Sequence, residues 1–158
     1  MKQLVLAIMM WVAAALGANA QVLTSETVNH AYEAVINQTN SDYVFNAEWT
    51  GKDITTMYVY QETRNLKGLV TLKPYLKYDY SYAADGILTS KITYRWAESQ
   101  DNWVCASRYD YTLTNGTYSA EYSRYNHIAK RFDQPVEKMV YLLDSETEKD
   151  LPILYAKK

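Results

Sequence analysis

Few side chains in this sequence belong to the types that catalyse reactions or bind metals. The two histidines, His30 and His127, are far apart and lack the spacing of metal ligands. Cys105 is the only cysteine, so no intrachain disulfide is possible, and its place among tyrosines favours a small buried hydrophobe over a reactive thiol. Phosphate loops, nucleophile elbows and dinucleotide fingerprints do not occur. The sequence therefore predicts no metal site and no cofactor.

One pair of carboxylates has an arrangement that suits acid–base chemistry. Asp110 and Glu121 are expected to face each other across a hairpin. Glycoside hydrolases use two such groups, so a glycan-processing hydrolase is one hypothesis. The alternative is two solvated carboxylates flanked by Arg108 and Arg124, and we favour it because perturbed pairs are rare outside clefts.

Aromatic residues are the strongest compositional feature, with 16 Tyr and 4 Trp but only 2 Phe. Tyrosine can bury its ring while its hydroxyl reaches water or a ligand. The high tyrosine content therefore suits either a surface that binds a ligand or a thin core whose edges are exposed to solvent. Trp96 and Trp103 bracket a six-residue loop and are expected to stand side by side at one end of a sheet. With Tyr94 they are the candidate ligand-binding residues, and a hydrophobic plug is the alternative.

The elements that position these residues follow from the alternation of apolar and polar side chains over residues 72–126. A period of two indicates strands, whereas a helix would scatter the aromatic side chains around its axis. We expect Tyr78, Ile92, Tyr109 and Tyr122 on one apolar face. The predicted strands are residues 72–82, 87–96, 103–113 and 117–126, in two hairpins.

Turn residues set the expected register of both hairpins. Asn115-Gly116 is the preferred type I′ pair, and it places Tyr109 opposite Tyr122 and Leu113 opposite Tyr118. In the first hairpin, a three-residue loop with a left-handed Gly86 makes the paired residue numbers add up to 170. The expected pairs there are Tyr82–Leu88, Tyr78–Ile92, Leu76–Tyr94 and Asp79–Lys91.

The rest of the domain is predicted to hold one helix and several shorter strands. Residues 24–38 form the helix, with Ser25 as its N-cap and Val28 and Tyr32 on its apolar stripe. Further strands are expected at residues 43–49, 55–61, 137–143 and 151–156, and an irregular connection at 127–135. We therefore predict an all-β domain with one N-terminal helix, built as an antiparallel meander of about seven or eight strands, curled or sandwich-like.

Residues 1–20 have the pattern of a signal peptide. Lys2 provides a positive start, residues 4–16 are apolar and uncharged, and Ala18-Asn19-Ala20 is a small-x-small cleavage site. The apolar run is shorter than the ~20 residues of a membrane span. We expect cleavage after Ala20, export to the periplasm or beyond, no transmembrane span afterwards, and a single domain over residues 21–158.

The charge balance argues against nucleic acid as a partner. The 16 basic and 18 acidic residues give a net charge of −2 and alternate along the strands, whereas phosphate backbones are held by clustered Lys and Arg. The favoured function is an exported, non-enzymatic binding module with a glycan or an envelope protein as its partner. A hydrolase and a purely structural envelope component are the alternatives, and the oligomeric state does not follow from the sequence.

Several segments, in this order behind the signal peptide, resemble a family of small exported Bacteroidetes proteins, domain of unknown function 3836. They are Tyr94-Arg95-Trp96, Trp103, Tyr109-Asp110-Tyr111, residues 118–126 and residues 132–141. The likeness covers residues 43–143 and departs at Tyr125, where a tryptophan is expected. It implies an exported β-protein of a Gram-negative cell with unassigned activity, and it carries over no catalytic residues.

Overall fold

The computed structural model describes residues 22–38 and 41–142. The predicted signal peptide and the predicted strand at residues 151–156 lie outside this part of the chain. In chain order the described elements are α1 (Ser25–Ile36), β1 (Tyr43–Thr50), β2 (Asp53–Arg64), β3 (Val70–Tyr82), β4 (Leu88–Ala97), a 3-10 turn (Glu98–Gln100), β5 (Asn102–Thr114), β6 (Thr117–Asn126), β7 (Arg131–Phe132) and β8 (Glu137–Leu142).

The eight strands of the described residues form one antiparallel sheet. From β1 to β6 each strand pairs with the next one along the chain. Both β7 and β8 pair with β6, β7 through Tyr125 and Asn126 and β8 through residues 117–122. The predicted fold class, a mainly β meander with one helix, is confirmed as a single sheet. The connection predicted to be irregular at 127–135 contains the short strand β7.

Helix α1 begins one residue earlier than the predicted N-cap implies. Thr24 is the N-cap: its hydroxyl accepts a hydrogen bond from the Thr27 backbone N–H at 3.3 Å, and the Thr27 side chain accepts one from the Thr24 N–H in return. The prediction of Ser25 as the N-cap was wrong, because the Thr24 hydroxyl takes that role and Ser25 is already the first helical residue. The Ser25 N–H donates to the Gly86 carbonyl at 2.9 Å. This bond ties the helix start to the β3–β4 turn. No helix in the described ranges has the length and apolarity needed to span a bilayer.

The main core lies between α1 and one side of the sheet, which we call the helix face. Tyr82 donates a hydrogen bond from its hydroxyl to the Ile54 carbonyl at 2.8 Å, and Tyr32 of the helix meets Trp49 edge to face. The side chains buried there are Val28, Ile54, Met57, Val59, Tyr78 and Leu88. Burial of these apolar groups holds the helix against β1 and β2.

A β-bulge in β4 overturns most of the predicted register in the first hairpin. The loop itself is as expected, with Gly86 at φ +82° and Tyr82 opposite Leu88. Beyond that pair Thr89 is an extra residue, so Ser81 pairs with Ser90 and the numbers add up to 171. The predicted pairs Tyr78–Ile92, Leu76–Tyr94 and Asp79–Lys91 are therefore wrong; Tyr78 pairs with Thr93, Lys77 with Tyr94 and Asp79 with Ile92.

Another bulge, in β5, splits the apolar residues of that strand between the two faces of the sheet. Thr93 pairs with Ser107, but Tyr94 pairs with Cys105, which leaves Ala106 as the extra residue. One inserted residue reverses the alternation, so side chains before Ala106 and those after it exchange faces. Trp103 and Tyr109 therefore lie on opposite faces of the sheet. We call the side without α1 the far face.

The single apolar face expected for the central strands is consequently only partly present. Tyr78, Tyr109 and Tyr122 do share the helix face, and the pairing of Tyr109 with Tyr122 in the second hairpin is confirmed, as is that of Leu113 with Tyr118. Ile92 lies on the far face, where it pairs with Asp79 and Arg108. Simple alternation cannot show the inserted residues, so it assigned Ile92 to the wrong side.

Candidate functional site

The two bulges place the predicted ligand-binding residues together on the far face. Trp96 pairs directly with Trp103 across β4 and β5, and their ring centroids are 5.1 Å apart in an edge-to-face contact. Tyr94 lies on the same face, two residues before Trp96 and opposite Cys105. All three aromatic side chains are half-buried. The side-by-side position expected for the tryptophans is present, and their role in binding stays a prediction.

Two further aromatic residues, which the sequence reasoning missed, extend this group. Tyr58 lies with its ring centroid 6.1 Å from that of Trp103 and 6.4 Å from that of Tyr60. Both tyrosines lie on β2 and alternate with the core residues Met57 and Val59, so their parity indicates the far face. Only the register from β2 through β3 and β4 to β5 shows that Tyr58 meets Trp103. We call Tyr58, Tyr60, Tyr94, Trp96 and Trp103 the aromatic cluster.

A lysine lies at the base of the aromatic cluster. Lys77 on β3 pairs with Tyr58 on one side and with Tyr94 on the other. Its Nζ lies 4.1 Å from the centroid of the Tyr94 ring and 3.0 Å from Asp79 Oδ2. Only 18% of its side chain is exposed. The ammonium group is therefore held by a carboxylate and an aromatic ring instead of extending into water.

Hydrogen bonds fix the polar groups around that lysine. Thr56 donates from its hydroxyl to Asp79 Oδ1 at 3.0 Å, and Tyr94 forms a side-chain hydrogen bond with the same carboxylate. Burial, followed by the charge and hydrogen bond of Asp79, raises the pKa of Tyr94 to about 12. Tyr58 donates to Glu48 Oε1 at 2.9 Å, and burial and that bond raise the pKa of Tyr58 to about 12. Both phenols stay protonated at neutral pH.

The arrangement combines aromatic ring faces with polar groups that have defined directions. Carboxylates at Asp79 and Glu48, the Lys77 ammonium and the phenol hydroxyls border the rings. Such a surface suits a ligand with an apolar face and many hydroxyl groups, because the rings contact its C–H groups while the border forms hydrogen bonds.

The predicted pair of Asp110 and Glu121 is present, but each carboxylate forms an ion pair with a different basic side chain. Asp110 and Glu121 are opposite each other across β5 and β6, as expected. Arg108 Nε lies 2.7 Å from Asp110 Oδ2, and Lys138 Nζ lies 2.6 Å from Glu121 Oε1. Arg124, expected to flank the pair, lies on the helix face because its parity in β6 differs from that of Glu121. The geometry favours two partly solvated ion pairs over an acid–base pair.

The remaining candidate residues lie apart from one another. His30 lies on α1 near Glu26 and Glu33, whereas His127 contacts the Tyr125 ring edge to face at the β6–β7 turn. Cys105 is half-buried, and burial raises the pKa of its thiol. Among the residues that the structure describes, no three His, Cys, Asp or Glu side chains come together as metal ligands would.

Comparison with known proteins shows one family. Residues 1–143 match the family model described as a family of unknown function, DUF3836. The search of curated proteins gives no match.

Three solved structures are similar in fold. A DUF3836 family protein from Bacteroides vulgatus is 20% identical with a TM-score of 0.57, over 63% of this chain and 98% of that chain. Another from Parabacteroides distasonis is 22% identical with a TM-score of 0.55, over 65% and 92%. A protein with unknown function from Bacteroides fragilis is 24% identical with a TM-score of 0.52, over 73% and 88%. At these identities the likeness concerns the fold alone.

Proposed function

Since this chain belongs to DUF3836, a family of unknown function, we propose from its own geometry that it is an exported, non-enzymatic module whose aromatic cluster binds glycans. Export is supported by the charged start, apolar run and small-residue cleavage site within residues 1–20. Binding is supported by the far face.

The observation that carries the proposal is the continuous contact from Tyr60 through Tyr58 and Trp103 to Trp96. Helix α1 packs on the other side of the sheet, so these rings do not serve the main core. Each is half-buried and keeps part of its surface open to a ligand. Sugar rings present an apolar face to such side chains and offer hydroxyls to Asp79 and Glu48.

A glycan array tests the proposal with two matched tryptophan variants. Trp103→Ala removes the centre of the aromatic cluster, while Trp49→Ala removes a tryptophan that lies on the helix face and is 47% exposed. We expect the wild type and Trp49→Ala to bind the same glycans and Trp103→Ala to bind them at least about tenfold more weakly, since stacked aromatic residues dominate binding sites.

Responses at background level for the wild type across bacterial and host polysaccharides would contradict glycan binding. Capture of an envelope protein by the same face, lost in Trp103→Ala, would instead support a protein partner. If a bound glycan is cleaved, Asp110→Asn and Glu121→Gln test whether the carboxylate pair acts in hydrolysis, and unchanged cleavage would exclude both residues.

A further inference from the structure

Four tyrosines on the helix face of β5 and β6 form a connected group of rings. They are Tyr109, Tyr111, Tyr118 and Tyr122, and we call them the tyrosine group. The Tyr111 ring stacks with those of Tyr109 and Tyr118 at centroid distances of 6.1 and 6.0 Å, and Tyr109 contacts Tyr122 at 4.9 Å. Tyr111 also packs against the main core. The tyrosine group therefore continues the apolar surface of the sheet beyond that core.

On β6 this surface is more deeply buried than the sheet alone explains. Tyr118 is 2% exposed, and Ala120, the next residue on the same face, is 3% exposed. On the far face at the same level, Glu121 and Lys138 keep 35% and 55% of their side chains exposed. The burial of Tyr118 and Ala120 therefore comes from residues that lie over the helix face.

The tip of the Tyr118 side chain leads to the same conclusion. Side chains on a strand stand roughly perpendicular to the sheet, so the hydroxyl is the atom of a tyrosine that lies farthest from the backbone. The Tyr118 hydroxyl is buried. Neighbouring side chains of the sheet can cover the sides of this ring, whereas burial of its tip requires a segment above the sheet.

Helix α1 is too far along the sheet to be that segment. It packs on β2 and β1. The strand order places β6 four strands from β2, which is roughly 19 Å at ~4.8 Å per strand. A helix with its side chains is about 10–12 Å in diameter, so α1 covers the strands next to β2 and leaves β6 to another segment.

The covered area extends from β8 to β4. Lys91 on β4 pairs with Tyr109, and Met139 on β8 pairs with Ala120, so both lie on the helix face. Burial lowers the pKa of Lys91 to about 8. Five residues of this area take part in a further hydrogen bond, ion pair, ring contact or electrostatic interaction: Lys91, Tyr109, Tyr111, Tyr118 and Met139.

The segment that covers this area belongs to the same chain. Tyr118 and Ala120 are buried within one chain, so no second copy is needed to cover them. Strand β8 runs beside β6, and its last residue, Leu142, pairs with Thr117. The chain therefore leaves the sheet one strand, ~4.8 Å, from β6 and next to Tyr118.

The sequence that follows β8 has a charged part and an apolar part. Residues 144–150 contain four acidic and one basic side chain, as a solvated connection would. Leu151-Pro152-Ile153-Leu154-Tyr155-Ala156 carries no charge. The connection 143–150 spans up to ~26 Å when extended, and Lys91 lies three strands, roughly 14 Å, from β8. The apolar part can therefore reach the whole covered area.

We propose that residues 151–156 fold back over the tyrosine group and cover it, with their aliphatic side chains against the tyrosine rings. Burial of these aliphatic groups drives the contact. The helix face then has two covers, α1 over β1 and β2 and residues 151–156 over β5 and β6. The tyrosines of β5 and β6 accordingly belong to the core, whereas those of the aromatic cluster stay on the far face.

Nitration with tetranitromethane, followed by mass spectrometry of the peptides, tests this proposal on the full chain. A buried phenol reacts only when its cover opens, so the nitration rate reports the cover over each tyrosine. In the wild type we expect nitration of Tyr75, which is 37% exposed, and protection of Tyr118 and of Tyr78, which is 2% exposed in the main core.

Two matched double variants separate the cover from the rest of the fold. Ile153→Asp/Leu154→Asp should be nitrated at Tyr118 at least about tenfold faster than the wild type, because charged side chains do not pack on the rings, while Tyr78 stays protected. Leu66→Asp/Ile128→Asp changes two exposed aliphatic residues in the β2–β3 and β6–β7 turns, at the other end of the sheet, and should match the wild type.

Three outcomes overturn the proposal. The first is a wild type in which Tyr118 reacts as fast as Tyr75, and the second is continued protection of Tyr118 in Ile153→Asp/Leu154→Asp. The third is faster nitration of Tyr118 in Leu4→Asp/Leu6→Asp, which would assign the cover to residues 1–20. If the charged pair also opens Tyr78, Ile153→Ser/Leu154→Ser replaces it under the same criteria.

Discussion

Burial of Lys77 beside the Tyr94 ring has an unfavourable and a favourable contribution to the free energy of folding. Lys77 loses most of its hydration, and it regains free energy from the Asp79 carboxylate at 3.0 Å and the Tyr94 ring at 4.1 Å. Thr56 and Tyr94 hold the carboxylate from the other side. The residues form one network, so removal of one member leaves its partners without the groups that compensate their burial.

The first prediction concerns this network. Lys77→Met is expected to lower the free energy of unfolding by about 1–3 kcal/mol, because Asp79 keeps its charge but loses its cation. Urea denaturation measures the change. The double variant Lys77→Met/Asp79→Asn should be more stable than the Lys77→Met single variant. The single variant Asp79→Asn completes the double-mutant cycle, and additive effects of the two substitutions would mean that the two residues are not coupled.

The second prediction concerns Lys91 on the helix face, which lies beside the Tyr109 ring. Burial lowers the pKa of Lys91 from 10.5 to about 8. Between these values the unfolded chain binds more protons than the folded one, so the Lys91 contribution makes stability rise with pH from about 8 towards 10. Below pH 8 Lys91 is charged in both the folded and the unfolded chain, so the free-energy penalty of burying its charge does not change with pH.

Lys91→Met should therefore be more stable than the wild type at pH 7, and the difference should shrink as the pH rises from about 8 to 10. Urea denaturation at several pH values measures this. Lys52→Met, at an exposed position, serves as the control and should show no such trend. A constant difference between wild type and Lys91→Met over this range would contradict the lowered pKa.

At the scale of the elements, the inserted residues of β4 and β5, Thr89 and Ala106, decide which of their side chains lie on the far face. Without Thr89 the pair Tyr82–Leu88 would bring Ile92 to the same side as Tyr78, and without Ala106 Trp103 would point with Tyr109. The aromatic cluster exists because β4 and β5 each change face partway along their length.

The third prediction follows from the β5 bulge. Deletion of Ala106 restores strict alternation in β5, so Trp103 should turn away from Trp96 and the exciton coupling of the two indoles in circular dichroism should disappear. Ala106→Gly keeps the extra residue and should keep the signal. Persistence of the coupling in a folded deletion variant would show that the bulge does not set the direction of Trp103.

Strand positions and one turn were predictable because their signals are local. Alternation located β3 to β6 to within a few residues, and Asn115-Gly116 defined the register of the second hairpin. Thr89 and Ala106 are ordinary strand residues, so nothing in their chemistry marks a bulge. The same reason explains which site residues were predictable. Trp96 and Trp103 are joined by a short loop, so the sequence placed them together. Tyr58 meets Trp103 only through the pairing of β2 with β3, β3 with β4 and β4 with β5, which the sequence does not show.

At the scale of the molecule, the sheet separates three surfaces with different chemistry. The helix face holds the core, the far face holds the aromatic cluster, and one end carries the exposed aliphatic turns.

The fourth prediction concerns export. Mass spectrometry of the protein recovered from the periplasm or the medium should find Gln21 as the first residue, since Ala18 and Ala20 satisfy the small-x-small rule. Ala20→Arg should leave the longer precursor in the membrane fraction, whereas Ala14→Leu in the apolar run should be processed normally. An intact Met1 in the exported protein would contradict cleavage at this site.

Tryptophan fluorescence tests glycan binding most directly, because in residues 21–158 Trp49→Phe leaves only Trp96 and Trp103 as reporters. Titration of this variant with the glycans found on the array should shift the emission in a saturable way, since a sugar ring stacked on the cluster excludes water from both indoles. The shift should vanish in Trp49→Phe/Tyr58→Ala/Lys77→Met if the variant stays folded. Emission that does not change with any glycan that the protein binds would show that the aromatic cluster is not the binding site.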